Sequence, residues 1–150
     1  MRELLSFTAA IVCISTPALA QEPADTVNAF MAAFNAQDGE AMGVHVMEGA
    51  TFGLIEEGEG EDRTAIRLLS KLVEATANAP EQRSEPIWNL RTLQDGPVAS
   101  VFADYEFRIA GKRSHCGVNV YNLMRVDGVW KIAGIMYSHM KQGCEGPPAP

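Results

Sequence analysis

Alternating apolar and polar residues run from Pro86 to Met140 and predict four β-strands. Three tight turns separate them: Asp95-Gly96, Gly111-Lys112 and Asp127-Gly128. Asp-Gly favours a two-residue hairpin because both central residues must tolerate positive φ. Since each turn fixes the pairing of its two strands and side chains alternate between faces, the turns also predict which residues share a face.

One predicted face is almost wholly apolar and is expected to cover the core. It collects Trp88, Leu90, Val101, Ala103, Tyr105, Phe107, Cys116, Val118, Val120, Asn122, Met124, Ala133, Ile135, Tyr137 and His139. The other face is polar at one end and apolar at the other, where it presents Phe102, Tyr121, Leu123, Trp130, Ile132 and Met136. We interpret that apolar end as a homodimer contact, because a solvated sheet face usually exposes less apolar surface.

Helical spacing dominates the chain before the sheet. Asp25 can cap a first helix, whose apolar residues recur at helical intervals: Val27, Phe30, Met31 and Phe34. Asp38 can cap a short second helix through about Val44, and a short strand over 50–55 follows. A third helix is predicted over 63–78, capped by Asp62, with a buried stripe made of Ile66, Leu69, Leu72 and Val73.

The first 20 residues are typical of a signal peptide. Arg2 precedes an apolar run from Leu4 to Ile14, and Ala18-Leu19-Ala20 matches a small-x-small cleavage pattern. The predicted organisation is a signal peptide over 1–20, one domain over 21–142 and a loose tail over 143–150. We therefore expect a periplasmic or secreted protein without a membrane anchor after cleavage.

Charge and composition narrow the class of partner. The chain of 150 residues carries a formal net charge of −7, which argues against nucleic acid as a ligand, because that binding needs a basic patch. The acidic loop from Glu56 to Asp62 lacks the alternating ligand pattern of a calcium site and is read as solvated. No cofactor and no metal are predicted.

Two cysteines remain after removal of the signal peptide, Cys116 and Cys144. In an oxidising compartment such a pair usually forms a disulfide. The alternative is a catalytic cysteine served by His139 or His115, which export makes less favourable because it promotes pairing.

The order helix, short helix, strand, helix and four long strands resembles the nuclear transport factor 2-like (NTF2-like) superfamily, which includes SnoaL-like polyketide cyclases and ketosteroid isomerases. The segments that carry the resemblance are "AFNAQDGEAM", "EGATFGLI" and "HCGVNVYNLMRVDGVWKI", within about Asp25 to Met140. The resemblance implies an α+β fold in which a cone-like, curved antiparallel sheet wraps around about three N-terminal helices. It also implies a pocket between the sheet and the helices, and dimers formed through the outer sheet face.

The resemblance does not extend to isomerase chemistry. An ungapped alignment puts Phe30 at the family's oxyanion-stabilising tyrosine, Leu54 at its general base and Asn122 at its second oxyanion donor. Phe30 and Leu54 can neither donate a hydrogen bond nor accept a proton, so the reaction loses its base and its main stabiliser. Ketosteroid isomerase activity is not expected.

The predicted pocket contains few polar groups. Its expected ligand-binding residues are Phe30, Phe34, Leu54, Trp88, Tyr105, Asn122 and Tyr137, and its candidate catalytic residues are Tyr105, Asn122, Tyr137 and His139. The structural alternatives are an Asn122 satisfied by protein partners, tyrosines that belong to the core and a solvated His139. His45 can face either the pocket or water, and His115 is placed on the outer face opposite Arg108.

Three functions are compatible with this pattern. The first, which we favour, is an exported protein that binds a small apolar molecule and is not catalytic. The second is an enzyme of the SnoaL-like cyclase or isomerase type that uses the tyrosine, histidine and asparagine side chains. The third is a dimeric interaction module whose pocket is filled by its own side chains.

Overall fold

The computed structural model describes residues 22–56 and 62–147. The predicted signal peptide, part of the acidic loop and the end of the tail lie outside the described residues. Three helices and seven strands are formed: α1 (Pro23–Asn35), α2 (Gly39–Gly43), β1 (Val46–Glu56), β2 (Arg63–Leu68), α3 (Leu69–Ala77), β3 (Arg83–Ser84), β4 (Ile87–Asp95), β5 (Val98–Ile109), β6 (Lys112–Val126) and β7 (Val129–His139). None of the helices in these two segments is long and apolar enough to cross a membrane.

The strands form one curved sheet in the order β2-β1-β7-β6-β5-β3, and β4 also pairs with β5. The predicted α+β cone is confirmed. Every pair is antiparallel except β1 with β7, which run parallel, so the sheet is mixed. Helix α1 lies across β5 and β7, and α3 packs on β1. The core lies between these helices and the concave side of the sheet.

The first two helices form where they were predicted, but α1 begins earlier than expected, since its N-cap is Glu22 and Asp25 lies within its first turn. Asp25 accepts a hydrogen bond from the backbone N–H of Glu22 at 3.2 Å, and Pro23 occupies the first turn, where its missing N–H costs nothing. The predicted apolar stripe of α1 is buried. Asp38 caps α2, since its Oδ1 accepts from the N–H of Ala41 at 2.9 Å.

The third helix is shorter than predicted. Residues 63–68 form β2, which pairs antiparallel with β1, and only Leu69–Ala77 is helical. Asp62 therefore does not cap α3, whose N-cap is Leu68. Ile66 is 79% exposed instead of buried. The helical spacing of the apolar residues led to a wrong prediction for residues 63–68. Pairing with β1 makes this segment a strand, and such pairing overrides a short apolar pattern.

One extra residue in β6 and another in β7 change which residues face the core. Between β5 and β6 the register runs from Arg108 opposite Arg113 to Phe107 opposite His115, so Ser114 is the extra residue. The last turn has the predicted register, with Val126 opposite Val129, but the pairing then shifts at Ala133. A one-residue shift exchanges the two faces of a strand. The face prediction for β6 is therefore wrong beyond Ser114.

The residues read as an apolar outer patch are mostly core residues. Tyr121, Leu123, Trp130 and Ile132 are each at most 2% exposed. Two shifts in succession restore the predicted face for Ile135 and Tyr137, which lie on the inner side of β7. The dimer prediction loses most of the surface on which it was based, although Met136 remains exposed on the outer face.

A third bulge affects β4. The pairing with β5 shifts between Trp88 and Arg91, where Asn89 adopts a φ of 51°. Ile87 consequently stands opposite Tyr105 and packs against the core, while Trp88 stands opposite Asp104. The predicted inward orientation of Trp88 is thus wrong.

Gly117 in β6 lies close to Ser138 of β7. A Cβ atom at this position would lie 2.2 Å from the carbonyl oxygen of Ser138. The same carbonyl accepts a hydrogen bond from the Tyr105 hydroxyl at 2.8 Å, and the Ser138 hydroxyl accepts one from the N–H of Val118 at 3.0 Å. Tyr105, Gly117 and Ser138 therefore depend on one another for their positions.

The predicted disulfide joins Cys116 in β6 to Cys144, with Cα atoms 5.8 Å apart. Beside it, Cys116 and Met140 exchange a pair of backbone hydrogen bonds. The covalent bond therefore fastens the segment after β7 to the middle of the sheet.

We expect Gly117→Ala to lower the free energy of unfolding by about 1 to 3 kcal/mol, because the added methyl group overlaps backbone atoms that cannot move independently. Gly43→Ala is the matched control, since nothing lies within 4 Å of its added Cβ; it should change stability by less than about 0.5 kcal/mol. Urea unfolding of the two variants measures both values, and equal effects would contradict the close approach described for Gly117.

We expect Cys144→Ser to lower the free energy of unfolding by about 3 to 4 kcal/mol, because the bond closes a loop of 28 residues in the unfolded chain. The test is thermal unfolding with and without a reducing agent. Reduction should lower the Tm of the unmodified chain and leave that of the variant unchanged. An unmodified chain that does not respond to reduction would contradict a stabilising disulfide.

Candidate functional site

A cavity of about 200 Å³ opens between α1, α3 and the inner side of the sheet. It is neither sealed nor a flat depression. Its lining is mainly apolar and aromatic and comprises Phe30, Met31, Phe34, Phe52, Leu72, Glu85, Phe107, His115, Asn119, Tyr121, Ile135 and Tyr137. Such a concave, largely apolar space with a few polar groups is typical of small-molecule sites.

Aromatic rings form more than half of this lining. Two phenylalanines come from α1, one from β1 and one from β5, and three further rings come from β6 and β7. Phe34 and Phe107 meet edge to face, with ring centroids 6.3 Å apart. Because the rings come from both layers, the cavity exists only when the helices are packed on the sheet.

Glu85 is the acidic residue of the cavity. It lies between β3 and β4, where the following Pro86 restricts it to extended conformations. Its backbone N–H donates to the side-chain oxygen of Asn35 at 2.6 Å, and the Asn35 amide nitrogen lies 3.5 Å from its carbonyl oxygen. The end of α1 therefore fixes the backbone that carries this carboxyl group into the cavity.

The carboxyl group of Glu85 is hydrogen-bonded but has no cationic partner. Asn119 donates to Glu85 Oε1 at 2.8 Å and to the Tyr121 hydroxyl oxygen at 3.0 Å. Across residues 22–56 and 62–147, no Lys, Arg or His side chain forms an ion pair with Glu85. Burial raises the pKa of Glu85 to about 7, and the Asn119 hydrogen bond opposes this rise.

The tyrosines near Glu85 are held in their neutral form. Burial raises the pKa of Tyr121, and the Glu85 carboxyl raises it further. The same two causes, in the same order, raise the pKa of Tyr137 and of Tyr105. At neutral pH these hydroxyl groups are hydrogen-bonding groups rather than bases.

His115 lies in the cavity wall, contrary to the prediction that placed it on the outer face. The bulge at Ser114 puts it opposite Phe107, and the two ring centroids are 4.9 Å apart. On its other side it meets His139 edge to face at 4.0 Å. Burial, and then the charge of His139, lower the pKa of His115 to about 4, so it is neutral at pH 7.

His139 connects the cavity wall to an ionic cluster at its rim. Its Nδ1 lies 3.3 Å from Oε2 of Glu56, whose other oxygen accepts from Lys141 at 2.7 Å. The hydrogen bond from Lys141 lowers the pKa of Glu56, and His139 and Arg63 act in the same direction. Lys141 is therefore paired with Glu56 at the rim, and its positive charge is neutralised outside the cavity.

Of the predicted ligand-binding residues, Phe30, Phe34 and Tyr137 line the cavity. Tyr105 lies behind it, with its hydroxyl bonded to Ser138 and its ring 5.7 Å from that of His115. Leu54 lines an adjoining depression with Phe52 and Tyr137.

Two predicted residues lie elsewhere. Asn122 is on the outer face because of the bulged register, and its Oδ1 accepts from the Ser100 hydroxyl at 2.8 Å. It is thus satisfied by a protein partner. Trp88 stands on the same outer side as Asp104.

Of the four candidate catalytic residues, only Tyr137 lines the cavity directly. His139 does not line the cavity but packs against His115, which does. His45 is half-buried at the junction of α2 and β1 and does not line the cavity. Within the two described segments, no three His, Cys, Asp or Glu side chains are grouped to hold a metal ion.

Comparison with known proteins identifies the architecture. The sequence matches no family model and no curated protein, whereas many solved structures match the fold. An NTF2-like protein of unknown function from Shewanella baltica aligns with a TM-score of 0.60 at 17% identity, over 80% of this chain and 92% of that one. The fold is that of the NTF2-like proteins.

Two further neighbours are described by an activity, and the second of them by the NTF2-like family as well. A putative aromatic ring hydroxylase from Novosphingobium aromaticivorans aligns with a TM-score of 0.61 at 19% identity, over 79% of this chain and 87% of that one. A putative dehydratase from Streptomyces avermitilis gives 0.58 at 12% identity, over 78% and 92%. At these identities the likeness concerns the fold alone.

Sequence reasoning missed four of the five lining residues that carry polar side-chain groups: Glu85, His115, Asn119 and Tyr121. For Tyr121 a sign was present, because large apolar residues clustered on the supposedly solvated face of β6 and β7. Such a cluster indicates that the register has shifted as readily as it indicates a dimer contact. Nothing in the polar segment from Glu81 to Glu85 marks its last residue as part of a cavity wall.

We expect Glu85 to make stability depend on pH. Its pKa is about 7 in the folded chain and 4.5 ordinarily, so the folded state binds the proton more tightly. The stabilisation from this group is complete below about pH 4.5 and is lost as the pH rises through 7. Relative to Glu85→Gln, which does not titrate, the unmodified chain should lose about 1 to 3 kcal/mol between pH 4.5 and 8.

Urea unfolding at several pH values measures this difference. Glu81→Gln is the control, because it removes the same charge from an exposed position on the same segment. His115 weakens both chains equally at acidic pH and cancels in the comparison. A difference between the unmodified chain and Glu85→Gln that stays constant with pH would refute the raised pKa of this carboxyl group.

Proposed function

We propose that this protein is exported and binds a small, largely apolar molecule in the cavity of the cone. The observation that carries the proposal is the aromatic-walled space of about 200 Å³ beside α1, with Glu85, Asn119 and Tyr121 grouped at one wall. Apolar walls supply affinity, and a few grouped polar atoms fix the orientation of a ligand.

The volume limits the size of the ligand. An apolar protein cavity of about 150 Å³ is known to admit benzene. A cavity of about 200 Å³ therefore suits a molecule with one ring and a short substituent. The same open volume favours ligand binding over the third alternative, in which the protein's own side chains fill the space.

Export is supported by two independent features. The first 20 residues have the composition of a signal peptide, and Cys116 is bonded to Cys144 in a chain of modest size. A disulfide is weakly compatible with an extracellular or periplasmic location. We retain both features as part of the proposal.

An enzyme that transfers a proton is the second candidate. It is favoured by one observation, a carboxyl group in the cavity whose pKa is about 7. General acids and bases work best with a pKa near the operating pH. The cyclase or isomerase prediction based on Asn122 receives no support from the geometry, because that amide is on the outer face and bonded to Ser100.

A homodimer formed through the outer sheet face also remains a proposal. The apolar side chains available there are Ile66, Val98, Met124 and Met136, all exposed. Light scattering of the purified protein distinguishes a dimer from a monomer.

We expect toluene and benzyl alcohol to bind the unmodified chain and to raise its Tm, because ligands that bind only the folded state stabilise it. Leu72→Trp should abolish this shift by placing an indole ring in the cavity, whose wall contains Leu72. Ile66→Trp is the control, since it adds the same ring at an exposed position.

Binding is measured by calorimetry and by the thermal shift. If Leu72→Trp binds both probes as well as Ile66→Trp does, the ligands are not in this cavity. If the unmodified chain binds neither probe, the proposed function fails.

A further inference from the structure

We propose that the cavity selects organic cations, specifically small ring-bearing amines whose ammonium group pairs with the carboxylate of Glu85. This inference rests on the proposed function and specifies its ligand class. It follows from three features of the described residues: a carboxyl group without a cationic partner, a wall rich in aromatic rings and the absence of a competing positive charge inside.

Two carboxyl groups of the described segments are treated differently. Glu106, whose side chain is 1% exposed, contacts both Arg108 and Arg113. Glu85 is half-buried in the cavity wall and accepts from the amide of Asn119, and none of the ion pairs of the described segments involves it. A buried carboxylate is costly unless it is paired. The chain supplies a guanidinium pair for Glu106 and leaves the partner of Glu85 to come from outside.

The aromatic lining favours the same class of ligand. Six of the twelve lining residues are Phe or Tyr, and Phe30, Phe34 and Tyr121 among them are buried. The face of an aromatic ring attracts a cation, most strongly where water is excluded. A cavity that combines several such faces with one carboxyl group discriminates in favour of an ammonium group and against an anion.

No positive side chain of the described segments competes for Glu85. His115, the only basic residue in the cavity wall, is neutral at pH 7. Lys141 is engaged by Glu56 at the rim. Arg67 is exposed and acts on Tyr137 from the solvent side. An entering ammonium group therefore meets a carboxylate that no positive side chain has already neutralised.

The proton balance of binding is simple. When Glu85 is ionised, an ammonium ligand binds and no proton moves. When Glu85 is protonated, a neutral amine takes that proton, and the same ammonium–carboxylate pair results. In both cases the product is a buried ion pair in which Asn119 still donates to the carboxylate.

The experiment compares three ligands of nearly equal size: benzylamine, benzyl alcohol and benzoate. Affinities are measured by calorimetry at pH 8, where Glu85 is mainly ionised and benzylamine is protonated. We expect the unmodified chain to bind benzylamine at least about tenfold more tightly than benzyl alcohol, because a charge-assisted hydrogen bond exceeds a neutral one. Benzoate should bind most weakly.

Two variants locate the effect. Glu85→Gln should reduce the preference for benzylamine over benzyl alcohol to within about twofold, because the charge that pairs with the ammonium group is removed. Glu81→Gln makes the same change in net charge at an exposed site and should keep the full preference. Circular dichroism of both variants verifies that they are folded.

The outcomes separate this inference from the proposed function. Equal affinity for benzylamine and benzyl alcohol in the unmodified chain overturns the inference and leaves the apolar binding site intact. Equal loss of preference in both variants also overturns it, because the preference then reflects net charge. If none of the three compounds binds, the proposed function and the inference fail together. The first comparison needs no variant, so it stands even if Glu85→Gln does not fold.

Discussion

The β-bulges at Ser114 and Ala133 decide which side chains of the two central strands meet the helices. A regular ladder through β5, β6 and β7 would turn Asn119 and Tyr121 toward solvent and turn Asn122 inward. Each bulge exchanges the two faces of the strand beyond it. The polar wall of the cavity and the large core residues near the last hairpin therefore depend on two residues that pair with nothing in the ladder.

The bulges also bring two chemically distinct environments close together. On the inner side, Glu85 stands among aromatic rings with only an amide to stabilise its charge. At the rim, Glu56 is surrounded by His139, Lys141 and Arg63 and remains ionised. His115 and His139 lie edge to face between these carboxyl groups. The NTF2-like scaffold thus holds one acid that has cationic partners and another that has none among the described residues.

Much of the fold could be predicted from local patterns. Helix α1, the cap at Asp38, the last hairpin at Asp127-Gly128 and the disulfide all follow from short-range rules that hold without tertiary information. The faces of β5 were predicted correctly because its inward residues Val101, Ala103 and Tyr105 alternate without interruption. Residues 63–68 were misread as helix because strand pairing with β1 is a long-range interaction.

The site was harder to predict than the fold, for a physical reason. Its lining depends on the register of three strand pairs, and one extra residue reverses every assignment beyond it. Asn122 and Trp88 were placed inward on registers that bulges later shift, and His115 was placed outward for the same reason. Glu85 stands in an irregular connection, where no periodicity informs the direction of a side chain. Its position depends on Asn35, fifty residues earlier.

The bond between Cys116 and Cys144 has a consequence for motion in this region. Cys116 directly follows His115 in the sequence, and two backbone hydrogen bonds to Met140 are the only other link described between this stretch and the segment after β7. On its β6 side this segment is held by a single isolated bridge, which would fray readily if it were not covalently closed. The crosslink therefore suppresses local opening at the edge where His139 covers His115, and keeps water from entering the aromatic wall from behind.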